Sequence, residues 1–370
     1  MTGFFVGALA VTALYCALTA WGWRRARRDV AALSPPEDAL TDPVPLSVIV
    51  AARNEETALP RLLRRLLGQI RAGDELLIVD DGSTDATASI ARQWCASHAA
   101  IRLIHRPAAA ASGSKKATLS RGIAAASNDL LAFTDADGRP APTWLDRMRT
   151  LHAATDDEVV LTGYSPMRTP EDAAPLVGPF ARYETLIAGI YTAAAAGLRR
   201  PYMAVGRNLS YPRSVFEAVN GFDAHAETLS GDDDLFVQSV HRHGTARVLA
   251  PTDPETFVET DSPATWSTWI RQKRRHVSTG RHYPWTVGLH LALFHGSFAL
   301  LWLAPLAIGT TGLGLLATGL LARHAALAPA ADALDEDDLL AAFPLWEFGY
   351  VLYLLTLAPL GLLSEPEEWR

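Results

Sequence analysis

The sequence predicts an α/β protein, a mostly parallel sheet flanked by helices, accompanied by transmembrane helices. Three observations carry that expectation. Short apolar strands alternate with helical segments between Leu46 and Asp135, the pattern of a parallel sheet covered on both faces. The strands end in acids, most sharply at Asp129–Asp137, where an apolar run stops at Asp135 and Asp137 with one small residue between them. Long uncharged apolar stretches lie at both ends of the chain, outside the alternating region.

Composition bounds the partners. The 370 residues suit about two domains. Apolar residues make up 49% and charged ones 20%, which is apolar for a soluble enzyme. The net charge of −7 gives no reason to expect a nucleic acid partner. Cys16 falls in an apolar stretch and Cys95 in a helical one, so no disulfide framework is expected.

Gly3 to Trp23 is uncharged, apolar and long enough to span a bilayer, and Arg24, Arg25, Arg27 and Arg28 follow at once. Positive charge marks the cytoplasmic end of a span, so the chain from residue 24 onward is expected inside. A cleaved signal would carry its charge before the apolar run. Residues 1–28 are therefore read as an anchor, and 29–44, with Pro35, Pro36 and Pro43, as a linker.

The region 45–261 is read as the catalytic domain. Leu46–Ala51 is a short β-branched strand, and Glu56–Ile70 has helical apolar spacing. Leu76–Val79 is a second strand ending in Asp80-Asp81-Gly82-Ser83-Thr84-Asp85. A helix to about His98, a strand at Ile101–Ile104, a helix carrying Lys115 and Lys116, and the strand to Asp135 complete the series. Beyond Pro140 the pattern loosens: Pro175–Leu198 reads as helix, Tyr202–Pro212 as strand and turn, and Asp232–His243 as a helix with an acidic first turn.

Residues 262–284 hold an amphipathic helix rich in tryptophan and arginine, suited to a membrane interface. Residues 285–370 are read as a membrane region of about three spans. An unbroken helix over Trp285–Ala322 would reach roughly 57 Å against a hydrocarbon core of about 30 Å, so it should break between Pro305 and Gly312. Phe343–Leu363, containing Glu347, is the last span. Four spans in all would put the C-terminus outside.

Three acid clusters, Asn54-Glu55, Asp80-Asp81 and Asp135 with Asp137, follow the ends of successive strands. Parallel strands bring such ends to one edge, where ligands bind in open α/β sheets. So many carboxylates in one crevice need a cation or donors to offset their repulsion. Lys115, Lys116 and a metal ion can do this, and all suit a diphosphate. The plain alternative, a set of turns and helix caps, explains Thr84 and Asp85 well. It explains the whole set poorly.

Ser47-Val48-Ile49-Val50-Ala51-Ala52-Arg53-Asn54-Glu55, Val79–Asp85 and Asp135-Ala136-Asp137 together resemble family-2 inverting glycosyltransferases of GT-A (Rossmann-like) fold. Gly231-Asp232-Asp233-Asp234-Leu235 resembles that family's acid motif, and Gln272-Lys273-Arg274-Arg275-His276 the QxxRW motif of its membrane-bound members. The resemblance runs from about Pro45 to Tyr283. It implies that Ala51, Glu55 and Asp81 hold the nucleoside, with Asp81 at the base, Asp80 in the same donor-binding set and Lys115 or Lys116 near the nucleotide. It further implies that Asp135 and Asp137 hold Mg²⁺ or Mn²⁺ on the diphosphate, that Asp232 is the general base with Asp233 its competitor, and that Gln272, Arg275 and His276 belong to the donor-binding set, with Arg275 holding the diphosphate as it leaves. Two positions depart from the family: Gly231 stands where Glu is usual, which allows the alignment to slip by one, and His276 stands where tryptophan is usual.

The expectation is a multi-pass enzyme of the inner (plasma) membrane with a cytoplasmic catalytic domain. It would move a sugar from a nucleotide sugar, UDP-linked, to a lipid or membrane-proximal hydroxyl. A processive polysaccharide synthase is the neighbouring alternative, disfavoured by His276 and by too few spans for a polymer channel. A nucleotidyltransferase would leave Gln272–His276 without a job, and a catalytically dead scaffold would not need intact carboxylates.

Overall fold

A computed structural model of the chain describes residues 1–35, 43–111, 113–228 and 230–363. Residues 36–42 of the expected linker lie outside the described residues. In chain order the elements are α1 (Thr2–Ala31), β1 (Leu46–Ala52), α2 (Leu59–Leu67), β2 (Glu75–Asp81), α3 (Thr87–Ser97), β3 (Ile101–Arg106), α4 (Lys115–Ala125) and β4 (Leu130–Asp135). Then come β5 (Arg139–Pro140), α5 (Trp144–Ala153), β6 (Val159–Thr162), β7 (Met167–Arg168), α6 (Val177–Gly197), β8 (Leu209–Pro212), α7 (Arg213–Ala218) and α8 (Asp234–His243). The chain closes with β9 (Arg247–Leu249), β10 (Val258–Asp261), α9 (Trp266–Ser278), α10 (Trp285–Ala333) and α11 (Phe343–Leu363). These form two compact units. A sheet unit holds Ala26–Pro166 and Arg199–Asp261, and a helical unit holds Met1–Arg25, Met167–Leu198 and the described residues from Ser262 onward.

In the sheet unit seven strands lie in the order β3-β2-β1-β4-β8-β6-β9. β1 runs parallel to β2 and β4, β2 to β3, and β6 to β9. β8 alone is reversed, antiparallel to both β4 and β6. β1 and β2 are buried at every position, which is why they read as continuous apolar runs rather than alternating ones. Helix α4 lies so close to the sheet that a Cβ on Gly122 would fall 2.5 Å from Ile49 Cγ2, so glycine is required there. The register sets Ala51 opposite both Val79 and Asp135, and Asp81 opposite Arg106.

Two helices start later than the sequence pattern predicts. α2 begins at Leu59 because the backbone N–H groups of Glu55 and Glu56 are already committed to Thr87 Oγ1 (2.7 Å) and Asp85 Oδ2 (3.1 Å). α8 begins at Asp234, because Gly231 takes a positive φ of 89° and Asp233 caps the helix.

Three helices, Thr2–Ala31, Trp285–Ala333 and Asp337–Leu363, are long and apolar enough to cross a membrane. α10 is broken at Ile308 and Gly309, inside the window from Pro305 to Gly312. Beyond the break it turns back on itself: a Cβ on Gly312 would meet Ala304 O at 2.1 Å, and one on Gly319 would meet Leu301 Cδ1 at 2.6 Å. Glu347 is not a stray charge in an apolar helix. Its Oε1 accepts from Arg323 Nε (3.0 Å) and Nη2 (2.8 Å) and from the Tyr183 hydroxyl (2.6 Å).

The end of α11 does not follow the pattern of alternating crossings. α1 and α10 run antiparallel, with Tyr15 beside His290 and Thr12 Oγ1 donating to Ser297 Oγ, so the end of α1 and the start of α10 share one end of the unit. The end of α11 lies there too, since a Cβ on Gly280 would touch Leu362 Cδ2 at 3.3 Å and one on Gly361 would touch Val277 Cβ at 2.9 Å. Alternating crossings would have put it at the opposite end. Hydropathy measures the length of a helix and carries no information about its direction.

Candidate active site

The site residues of the sheet unit lie at the carboxyl edge of its parallel strands. Two turns, β1 to α2 and β2 to α3, are knitted together there. Asn54 adopts a left-handed φ of 59°, a conformation Asn tolerates better than most residues. Its Oδ1 accepts from Thr84 N at 2.8 Å, and its N–H donates to Ser83 Oγ at 2.9 Å. Gly82, also at positive φ, has no room for a side chain, because a Cβ would come within 2.7 Å of Ala111 Cβ.

Asp80 and Asp81 are both fully buried, yet they are used differently. Asp80 is closed off by its own chain: Ser83 donates to Oδ1, and His105 Nδ1 lies 2.7 Å from Oδ2. Asp81 accepts from Gly113 N at 3.0 Å and faces Arg106 Nη1 at 3.5 Å. Asp80 therefore shapes the turn, and of the two it is Asp81 that lies beside the loop leading into α4.

The chemical centre is Lys115, the first residue of α4. Its Nζ lies 2.8 Å from Asp135 Oδ1 and 3.2 Å from Asp232 Oδ2, joining the acid of β4 to the acid before α8. Arg207 Nε reaches Asp135 Oδ2 at 3.4 Å from the other side. Burial alone would raise the Asp135 pKa, but Lys115 and Arg207 override it and hold the carboxyl at about 2. The Lys115 ammonium is held above its ordinary pKa against the cost of burial, by Asp135 and then Asp232. Asp137 is exposed, with Thr260 Oγ1 donating to its Oδ2 at 3.0 Å.

Surplus negative charge shows in the neighbours. Burial, then Asp137, Asp135 and Asp85, push Glu55 up to about 7. Burial, then Asp232, raises Asp233 to about 6. Both oxygens of Asp233 are occupied by backbone donors, Asp234 N at 2.8 Å and Gly206 N at 3.1 Å. Gly206 allows that approach: a Cβ there would lie 3.2 Å from both Asp232 Oδ2 and Asp233 Oδ2. Asp234 instead accepts from Ala204 N at 2.9 Å and fixes the Met203–Ser210 segment.

Of the two lysines named from the sequence, Lys115 meets the acids and Lys116 turns away from them. Lys116 is 2% exposed, and its Nζ donates to His225 O, Thr228 Oγ1 and Ser230 O. Its side chain is spent on the segment that precedes Gly231. Ala51 contributes position rather than chemistry, opposite Asp135 in the register. Gln272, Arg275 and His276 lie on α9, in the helical unit. There Gln272 Oε1 is buried without a hydrogen-bond partner among the described residues.

A divalent ion must be judged against this donor set. Among the described residues no three His, Cys, Asp or Glu side chains gather as a metal group. Magnesium is ordinarily held by one or two carboxylates, with substrate phosphates and water completing the shell. Asp135 and the exposed Asp137 supply those two, and the raised Glu55 reports the negative potential a cation would relieve. The residues fit a hard cation shared with a diphosphate.

Sequence reasoning overlooked Arg207, Arg106 and Thr260. Arg106 had a signal, since it sits in register with Asp81 across two parallel strands. Arg207 lies within Tyr202–Pro212, read from the sequence only as strand and turn, with nothing local to tie it to Asp135.

A Rossmann-like sheet with a reversed strand and a lysine-bridged acid pair at its carboxyl edge defines a GT-A α/β unit. Comparisons with known proteins agree. The model of "Glycosyl transferase family 2" matches residues 47–199, and that of "Glycosyl transferase family group 2" matches residues 133–358, more than half of the chain. The chain belongs to glycosyl transferase family group 2, a family of transferase enzymes. It is similar to the probable glycosyltransferase YdaM of Bacillus subtilis (24% identity over 239 residues, 62% of this chain and 54% of that one). It is also similar to the beta-monoglucosyldiacylglycerol synthase of Synechocystis (34% over 114 residues, 30% of this chain and 24% of that one). The chain thus spans about half or less of these curated relatives. Among solved structures, a mannosyltransferase from Pyrobaculum calidifontis, in complex with GDP-Man and Mn²⁺, has the same fold. Its TM-score is 0.59 at 20% identity, covering 98% of this chain and 99% of that one.

Proposed function

We propose that this chain is an inverting, metal-dependent hexosyltransferase. It takes a sugar from a nucleotide-diphosphate sugar, UDP-linked, and passes it to a lipid or membrane-proximal hydroxyl. It would do so as a multi-pass protein of the inner membrane with its sheet unit in the cytoplasm. The observation that carries the reading is Lys115 bridging Asp135 and Asp232. One carboxylate suits a cation-bound diphosphate, and the other is held within the same cluster for the incoming hydroxyl. The Synechocystis relative is named a synthase of a monoglucosyldiacylglycerol, and the three long apolar helices support a membrane setting.

In this reading Asp81, with Glu55 and the Ala51 backbone, holds the nucleoside. Asp232 takes the proton of the acceptor hydroxyl as it attacks the anomeric carbon. Attack opposite the leaving diphosphate inverts the anomeric centre with no covalent enzyme intermediate. A divalent ion bound by Asp135 and Asp137 would neutralise charge developing on the diphosphate. Lys115 keeps Asp135 and Asp232 apart in charge while holding them close in space. Arg275 is assigned to the leaving diphosphate, and Gln272 and His276 to donor binding, on the motif alone.

The test is sugar transfer by the purified full chain, using a panel of UDP- and GDP-linked sugars and a membrane lipid extract, read as nucleotide release and glycolipid mass. Asp232→Asn should lose turnover by about 10²–10⁴-fold while nucleotide affinity stays within a few-fold. Asp233→Asn should retain measurable turnover, since its oxygens already serve backbone N–H groups. A dead Asp233→Asn beside an active Asp232→Asn would move the base by one residue.

A further inference from the structure

The sugar-transfer reading leaves the outer face of α9 unused. From Ser262 to Ala331 the chain has no aspartate or glutamate, while five Lys and Arg residues fall between Arg271 and Arg281. A chain of net charge −7 therefore carries a purely basic stretch here. Lys273 is buried in the helical unit and neutralised by Glu184. Arg271 and Arg274, one turn apart, are exposed and form no ion pair among the described residues. Inward charge is balanced, and outward charge is not.

Neighbouring side chains set the depth of these arginines. The end of α11 packs on α9, so that a Cβ on Gly361 would lie 3.5 Å from Arg274 Cα. Leu360, Leu362 and Leu363 around that contact are 56%, 40% and 83% exposed. α10 opens with Trp285, 77% exposed. Leucine and tryptophan so exposed call for hydrocarbon, whereas guanidinium groups beside them call for water or phosphate. Both demands are met together only in the headgroup layer, where tryptophan collects and arginine meets lipid phosphate.

We propose that Arg271 and Arg274 form a docking surface for the phosphate groups of anionic lipids in the bilayer that α10 enters. This rests on the membrane-spanning part of the proposed function. A basic patch at the start of a span concentrates anionic headgroups through a field that salt screens. Such a surface would hold the helical unit at a fixed depth.

The test reconstitutes the full chain in phosphatidylcholine nanodiscs containing about a fifth phosphatidylglycerol, a composition at which basic segments respond to surface charge. Immobilisation of spin-labelled phosphatidylglycerol is compared with that of spin-labelled phosphatidylcholine. The wild type should favour phosphatidylglycerol by about threefold or more, and the preference should shrink in high salt. Arg271→Gln with Arg274→Gln should bring the two lipids to near equality, while the paired Lys variants keep the preference. Sugar transfer in neutral detergent should be unchanged by any of these. Equal immobilisation of the two lipids by the wild type, or a preference that survives the Gln variants, would overturn the proposal and leave the spanning reading intact. Immobilisation of neither lipid would overturn both.

Discussion

Both edges of the β1–β4 sheet carry acids, and they treat them oppositely. At the amino edge, Asp74 accepts from the N–H groups of Leu46 (3.0 Å) and Arg71 (2.7 Å) and is bound by the buried Arg149 guanidinium. Arg149 also holds Asp146 at 2.6 Å, and Arg71 holds it at 2.7 Å. Glu75 accepts from Ser47 Oγ, Ser127 N and Arg102, and these donors outweigh its burial and keep its pKa below the ordinary value. At the carboxyl edge, Lys115, Arg207 and Arg106 face Glu55, Asp81, Asp135, Asp137, Asp232 and Asp233, and two of those acids are pushed upward in pKa. A closed set of charges serves the scaffold. An unbalanced set suits the binding of a cation and a phosphate.

The comparison can be broken first at the closed edge. Arg149→Met would leave Asp74 buried without its partner, and the loss of stability should be about 3–5 kcal/mol. It would be read as the shift in thermal unfolding of the full chain in detergent. A variant that melts with the wild type would mean the amino edge is not held by charge. Next in size is Lys116→Met, which strips His225 O, Thr228 Oγ1 and Ser230 O of a shared donor and should cost about 1–3 kcal/mol. Nucleotide affinity, read by calorimetry, should stay within a few-fold; a complete loss of binding would put Lys116 back among the ligand-binding groups.

The smallest effect is also the most selective. Glu55 titrates near 7 in the folded protein against an ordinary 4.5, so its contribution is full below the lower value and is lost as pH rises through 7. Glu55→Gln, in chelator-treated protein, should therefore raise the melting temperature relative to wild type at pH 8 and leave it nearly unchanged at pH 5. An equal gain at both values would show that packing, not surplus charge, is responsible.

Much of this contrast is legible in the amino-acid sequence. Acids directly after strand-length apolar runs mark the carboxyl edge, because parallel strands must end together. Lys115 is visible there as a possible counter-charge, but its separation from Lys116 is not, since neighbours on a helix point about 100° apart and only the fold says which way. Arg207 and Asp135 are brought together by β8, whose reversal leaves no trace in composition. The closed edge is hidden for a related reason: Asp74, Asp146 and Arg149 read as ordinary surface charges until α5 packs them together. In the helical unit, the break in α10 follows from length alone, whereas the return of α11 to α9 depends on contacts that hydropathy does not encode.

The central claim is that the unbalanced carboxyl edge binds a nucleotide diphosphate through a divalent ion. Calorimetric titration of UDP into the full chain, with Mn²⁺ and again with excess chelator, tests it most directly. UDP should bind with Mn²⁺, at least about tenfold more weakly in chelator, and not measurably to Asp135→Asn/Asp137→Asn, whose circular dichroism at the titration temperature should match the wild type even though losing the Asp135–Lys115 pair lowers its melting temperature. Equal affinity in chelator, or undiminished binding by the double variant, would contradict the account.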